Sequence, residues 1–150
     1  MIDDDDALFQ LYNRELMALS AQVAAPKTLA HPDAKATAVS IVCGSEVTVE
    51  LSLKGDKVQD FGYAVEACSL TKAVVAIMAR AILGKKRQEI ASAGAALRDM
   101  LEKKSPPPSG EWAALKILEP VIDYTARHET IMLPFAAVEK AFAESKRSLG

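Results

Sequence analysis

Two cysteines, Cys43 and Cys68, and one histidine, His128, are the side chains of this sequence best suited to bind a metal or to attack sulfur. Around Cys68 the apolar pattern changes period. Phe61, Tyr63 and Val65 alternate on one face, as in a strand, whereas Leu70, Val74, Ile77 and Met78 recur at helical spacing. A cysteine at that changeover has unpaired helix-start amides and the positive end of the helix dipole beside it, and both favour a thiolate. Cys68 therefore reads as a ligand or a nucleophile. Two cysteines without a Cys-x-x-Cys pairing do not make the disulfide framework of a small secreted domain. They are free thiols, a metal pair or both, with plain burial as small hydrophobes the alternative. His128 stands just before a helix start, as Cys68 does, but a lone histidine is not by itself a ligand. His31, beside Pro32, is expected to be exposed.

Other charged groups read as surface. Asp3 to Asp6 are four consecutive carboxylates that cannot converge on a cation without a shaped loop, so they are expected to cap a helix. Lys85, Lys86 and Arg87 could hold an anionic partner but read as a solvated helix boundary. No serine or cysteine has a histidine and an acid in a recognisable arrangement, which argues against a hydrolase.

The elements that must position these residues follow from spacing. Leu8, Leu11, Tyr12, Leu16 and Leu19 define a first helix, and residues 24–36, with Pro26 and Pro32, an extended connection. Strands are expected over 37–43, 46–54 and 57–67. The second alternates, with Val47, Val49, Leu51 and Leu53 inward and Glu46, Thr48, Glu50 and Ser52 outward, so the sheet should have one wet face. Gly55-Asp56 makes a hairpin turn and Cys43-Gly44-Ser45 a shorter turn between the first two strands, giving an antiparallel meander. Beyond it the pattern is helical. One helix runs from near Cys68 to a C-cap at Gly84, and Ile90, Leu97 and Leu101 stripe the next. Prolines 106–108 force an extended break, and Trp112, Leu115 and Leu118 begin a short helix limited by Pro120. The last helix has Thr130 as N-cap, Pro134 in its first turn, and Phe135, Val138 and Phe142 on its buried side.

The fold class is thus α+β, in one domain with its core at about residues 8–145. A chain of 150 residues that is half apolar can bury a sizeable core. With 18 basic and 20 acidic side chains and a formal charge of -2, no cationic field points at nucleic acid or an acidic membrane. The acidic N-terminus is unlike a signal peptide and no apolar run approaches a membrane span, so a soluble cytoplasmic protein is expected.

Taken in order, Cys43-Gly44 at the first turn, the hairpin at Gly55-Asp56 and Cys68 opening a helix that runs through Met78-Ala79 to Gly84-Lys85 form a recognisable series. So does the closing run Thr130-Ile-Met-Leu-Pro-Phe-Ala-Ala-Val-Glu-Lys-Ala. From about Leu8 to Phe142 the chain resembles the NifU-like N-terminal family, the scaffold proteins of iron-sulfur cluster assembly that include the IscU and SufU types. The proline insertion and the run from Asp123 and Tyr124 to Arg127 are more similar to the SufU type. The resemblance implies the SufE/NifU (IscU-like) fold, a small antiparallel sheet with helices on one face. It also implies three cysteines at one end of the sheet that build a cluster or bind zinc. Cys43 and Cys68 match two of them; Thr130 stands at the third. Ser45 replaces the family's aspartate, Glu129 replaces the histidine that IscU types carry before the third cysteine, and the chaperone motif is reduced to Leu118-Glu-Pro-Val-Ile122, which speaks against docking of that chaperone.

A hydroxyl is a poor substitute for a thiolate toward iron or zinc. His128 is the evident repair, since mixed cysteine and histidine ligation of iron-sulfur centres exists. Cys43, Cys68 and His128, with Glu129 or an external thiol in fourth place, would make an open and labile site. The resemblance thus implies a scaffold or carrier of iron or an iron-sulfur cluster, with zinc the alternative metal and a cysteine desulfurase and recipient apo-proteins as partners. No enzyme is expected beyond sulfur transfer, in which Cys68 or Cys43 accepts a persulfide. A third reading is an interaction module that kept the fold and lost the metal.

Overall fold

The computed structural model describes the backbone of residues 4–41 and 44–149 and the side chains of residues 13–41 and 44–145. Three strands form one antiparallel sheet in the order β1 (Ala34–Ser40), β2 (Ser45–Lys54) and β3 (Lys57–Glu66). Helices α1 (Asp4–Gln22), α2 (Ser69–Ala81), α3 (Arg87–Lys103) and α4 (His128–Leu149) complete the fold, with 3-10 helices at Gly110–Val121 and Thr125–Arg127. This is the α+β meander with helices on one face that the residue pattern implied. The cap expected at Asp3 lies outside the described residues.

Val47, Val49 and Leu51 are fully buried beneath the helices, as their alternation requires. The loop between β2 and β3 has two residues, with Gly55 at φ +65 in its first position, where a type II′ turn needs the left-handed freedom of glycine. β1 departs from expectation, beginning and ending three residues earlier than 37–43. Asp33 anchors its start: its N–H donates to the Leu51 carbonyl at 2.7 Å and its Oδ2 accepts from the Leu53 N–H at 2.7 Å. The inward row of β1 is Ala34, Ala36, Ala38 and Ser40, whose small side chains carry little hydrophobic signal.

The outer face of the sheet is not uniformly wet. Glu50 is buried, covered by the connection that precedes β1. Lys27 exchanges backbone hydrogen bonds with Tyr63 at 2.9 and 2.8 Å, and the Leu29 N–H donates to Glu50 Oε1 at 2.8 Å. Gly62 is required there, because a Cβ on it would lie 2.7 Å from the Lys27 carbonyl oxygen.

α2 is the central helix. Residues 73–78 are all buried, with α1 on one side and α4 and the longer 3-10 helix on others. It ends at Ala81 rather than at Gly84. Gly84, at φ +81, instead turns its N–H to the Val58 carbonyl at 2.8 Å, tying the end of this helix to the start of β3. The segment 110–121 buries Trp112, Leu115, Leu118 and Val121, and a strict spacing of three explains why it is 3-10 rather than α. At three residues per turn those side chains stack in one straight seam. The run continues one residue past Pro120, and the seam is turned inward: Leu118 and Val121 are buried while Glu119 and Pro120 are exposed.

α4 begins at His128, two residues before Thr130, so Thr130 is inside the helix and does not cap it. Pro134 therefore falls beyond the first turn. A proline there removes the N–H that would bond the carbonyl four residues back, that of Thr130. The Thr71 hydroxyl fills the gap, donating to the Thr130 carbonyl at 3.1 Å.

Candidate functional site

Cys68 is where the spacing placed it. Its backbone is extended, φ -70 and ψ 169, and it is the N-cap residue of α2, half-buried. Its own carbonyl accepts the first helical bond, from the Lys72 N–H at 3.1 Å, and its side chain caps no amide. Sγ lies 3.6 Å from Thr71 Oγ1. A carbonyl only accepts, so the single proton of Thr71 is committed to Thr130. The Cys68 thiol is consequently the donor in the sulfur contact. Cys68 and Thr130, matched to two ligand positions of the three-cysteine pattern, thus meet through the fully buried Thr71.

Cys43 and Val42 lie outside the described residues. Their flanks are described. Ser40 pairs with Ser45 on the last rung between β1 and β2, and Glu46 pairs with Glu66 on the last rung between β2 and β3. Continuing that second ladder by two residues sets Gly44 opposite Cys68. The Gly44 φ of +68 belongs to the turn that leads into β2.

His128 and Glu129 sit differently. The half-buried imidazole directs Nε2 at the Ile122 carbonyl, 2.9 Å away, so that nitrogen carries the proton. Nδ1 is left as the atom able to ligate a metal when the ring is neutral. The ring borders two cavities beside α3, one shared with Leu101, Glu102 and exposed Glu129, the other with Lys104 and Asp123. Among the described residues, which leave out Cys43, no three His, Cys, Asp or Glu side chains come together as a metal site. His31 is exposed, as expected.

The basic cluster meets carboxylates of this chain. Lys85 pairs with Glu111 at 2.7 Å, Lys86 with Asp56 at 3.9 Å and Arg87 with Glu139. The bond to Glu139 holds the Arg87 guanidinium above its ordinary pKa. The cluster does stand at a helix boundary, with exposed Lys86 the N-cap of α3, and these pairs add ties from it to other elements.

Hydroxyls were the part of the site that charge and cysteine spacing did not disclose. Ser40, Ser45, Thr71 and Thr130 are all buried. Ser40 and Ser45 end the sheet on the rung before Cys68, and Thr71 and Thr130 join α2 to α4 just beyond it. The available signals were slight: a serine closing an alanine row, and a threonine one helical turn after Cys68.

A family model described as NifU-like N terminal domain matches residues 21–130. The zinc-dependent sulfurtransferase SufU of Bacillus subtilis is 29% identical over 104 residues, which cover 69% of this chain and 71% of that protein. The iron-sulfur cluster assembly scaffold protein IscU of Streptococcus pyogenes is 22% identical over 103 residues, 69% of this chain and 65% of that one. In structure, a nitrogen-fixing NifU-like protein (N-terminal) from Brucella abortus superposes with a TM-score of 0.84 at 38% identity, covering 91% of this chain and 94% of that chain. A SUF-system scaffold protein from Fervidobacterium islandicum shares the fold, at a TM-score of 0.75 and 21% identity, over 84% and 92% of the two chains. Among the described residues no helix is long and apolar enough to cross a membrane.

Proposed function

As the chain belongs to the NifU-like N-terminal domain family, we propose that it serves iron-sulfur cluster assembly as a scaffold or carrier, taking up iron or a cluster at the Cys68 end of the sheet. The observation that carries this is the β2–β3 register, which, continued two residues past its last rung, sets Gly44, the neighbour of Cys43 in sequence, opposite Cys68, the N-cap of α2. The turn between β1 and β2 and the start of α2 each contribute, in this reading, one thiol to that end of the sheet, and a site held by such elements is what a metal or sulfide needs. In this reading Cys43 and Cys68 are ligands and His128, through Nδ1, is the third, with Glu129 or an external thiol completing the set. The Nε2–H bond to Ile122 supports His128, because ligating imidazoles commonly donate their other N–H to a backbone carbonyl. Two thiolates and an imidazole also fit zinc, which would hold the thiols as thiolates and leave one position open. The partners are a cysteine desulfurase and recipient apo-proteins, and the place of action is the cytoplasm.

Anaerobic reconstitution with iron and sulfide is expected to give visible charge-transfer absorption, lost in Cys68→Ala and weakened in His128→Ala. A colourless protein from which desalting removes all added iron would overturn the reading. Sulfur transfer is the second reading, favoured by the half-buried, uncapped Cys68 thiol and by the likeness to a zinc-dependent sulfurtransferase. Incubation with a desulfurase and cysteine is then expected to add the mass of one sulfur to Cys68 or Cys43. An unchanged mass excludes it.

A further inference from the structure

We propose that the free edge of β1, with the groove beside it, is a docking site for an extended segment of a partner protein, which adds to the sheet as a fourth strand. The two edges of the sheet differ. Along β3 the outer edge is taken, by Lys27 bonded to Tyr63 and by Gly84 and Lys85 bonded to Val58. Along the outer edge of β1 no backbone is paired among the described residues. The Thr37 and Thr48 hydroxyls meet across the ladder at 2.8 Å, as in the closer, non-hydrogen-bonded kind of antiparallel pair, and the Thr37 carbonyl turns outward to accept from Lys140 Nζ at 3.0 Å. Alternation then turns the N–H and C=O groups of Lys35 and Val39 the same way. Such a row is a template for another strand, and Val39 and Ile41 leave apolar side chains exposed along it, at 54% and 92%.

Beside that edge lies a groove of about 990 Å³ between β1 and α3, floored by α4. Exposed alanines, Ala91 and Ala95 of α3 and Ala136 of α4, keep it open. Shape and charge select the occupant. A second copy joined edge to edge and antiparallel would bring the α4 that underlies its own β1 onto α3 of this chain, whereas a single extended segment meets no such obstacle. Glu129 and Lys140 are separated by about three turns of α4, about 16 Å, both exposed and neither in a salt bridge among the described residues. Glu129 stands at the cysteine end, next to Thr130, and Lys140 beside Thr37. A segment antiparallel to β1 starts at the cysteine end, so it meets Glu129 with a basic side chain and, about four residues on, Lys140 with an acidic one, at about 3.4 Å per residue. Until then Lys140 holds the Thr37 carbonyl, as lysines on free edges deter indiscriminate pairing. A carboxylate on the incoming strand draws the lysine off and frees that carbonyl for a backbone N–H, the mode in which added strands bind. The partner is thereby fixed beside Cys68, whether or not a metal is bound there.

The probe is a fluorescein-labelled peptide, Ser-Lys-Val-Leu-Val-Glu-Ser, titrated with the full chain and followed by anisotropy. Saturable binding is expected, weakened about tenfold or more by Ala136→Trp, which fills the groove from an exposed helix position. Val39→Pro is expected to weaken it as much, because it removes an outward N–H and no bond to β2. The same peptide with its lysine and glutamate exchanged is expected to bind wild type about threefold more weakly or worse. Far-UV circular dichroism checks that each variant keeps the fold, and either one alone carries the test. No binding to wild type, equal binding of the two peptides, or affinity unchanged in a folded variant overturns the proposal. A wild-type dimer in light scattering that Ala136→Trp makes monomeric also overturns it, and gives the edge to a second copy.

Discussion

At the scale of residues, the site depends on a proton that only one group can have. Pro134 leaves the Thr130 carbonyl without its helical donor, Thr71 supplies the missing proton at 3.1 Å, and Cys68 must then donate to Thr71. Occupation of Cys68 by a metal or a persulfide removes the thiol proton and ends that contact, so Thr71 is the first neighbour to feel it. The same logic gives a stability prediction. Thr71→Val keeps the volume but removes the buried bond to the Thr130 carbonyl, a loss of about 1–3 kcal/mol, and Thr71→Ser retains most of that bond. In a Pro134→Ala background residue 134 has an N–H of its own, so the cost of Thr71→Val should shrink. Denaturant unfolding of the four proteins of the double-mutant cycle measures the coupling; additive effects would mean that Thr71 and Pro134 act separately.

At the scale of elements, the connection before β1 behaves as a cover strip on β3. Its one backbone bridge, Lys27 to Tyr63, is reinforced by Lys27 Nζ on Asp60 Oδ1 at 3.0 Å. That bond, and the Phe61 N–H at 2.9 Å, hold the Asp60 carboxyl below its ordinary pKa. A carboxylate with a depressed folded pKa adds stability that is full above the unfolded pKa and is lost as pH falls through the folded one. Both side chains of the pair are about half exposed, 50% and 48%, so solvent screens the gain. Asp60→Asn is expected to cost under about 1 kcal/mol near neutrality and nothing in acid below the folded pKa. Unfolding midpoints across that range check it. An equal cost at both ends would assign the effect to shape and not to charge.

At the scale of the whole molecule, the sheet, the central pair α2 and α4, and the outer elements share one apolar core from Val23 to Phe142, and the cysteine end lies at its rim. Site substitutions can therefore change chemistry without dissolving the fold, whereas the docking of outer layers is unforgiving. Gly94 of α3 packs on Phe135 of α4, whose ring is 5.5 Å from that of Trp112. Alanine at Gly94 would gain about 1 kcal/mol of helix propensity. Its Cβ, however, would lie 2.9 Å from the Phe135 ring, which Trp112 backs, and overpacking of that kind costs about 1–3 kcal/mol. Gly94→Ala is expected to be net destabilising by about 1 kcal/mol in thermal or denaturant unfolding. A stabilised variant would show that Phe135 has room to yield.

What the sequence by itself determined is what depends on neighbours along the chain. Alternation in Val47, Val49 and Leu51 set β2, three-residue spacing from Trp112 to Leu118 drew the seam of a short helix, and the change of period fixed Cys68 at a helix start. The family pattern paired Cys68 with Cys43 and put Thr130 where a third ligand was expected. Only the tertiary structure decided that Thr130 meets Cys68 through Thr71 while His128 turns to Ile122, that Glu50 is covered, and that the buried Ser40 hydroxyl has no partner among the described residues. Each of those depends on which remote segment lies against a given face. The direction of a side chain at a helix start and the satisfaction of a buried hydroxyl are set by that packing, and no local period encodes it.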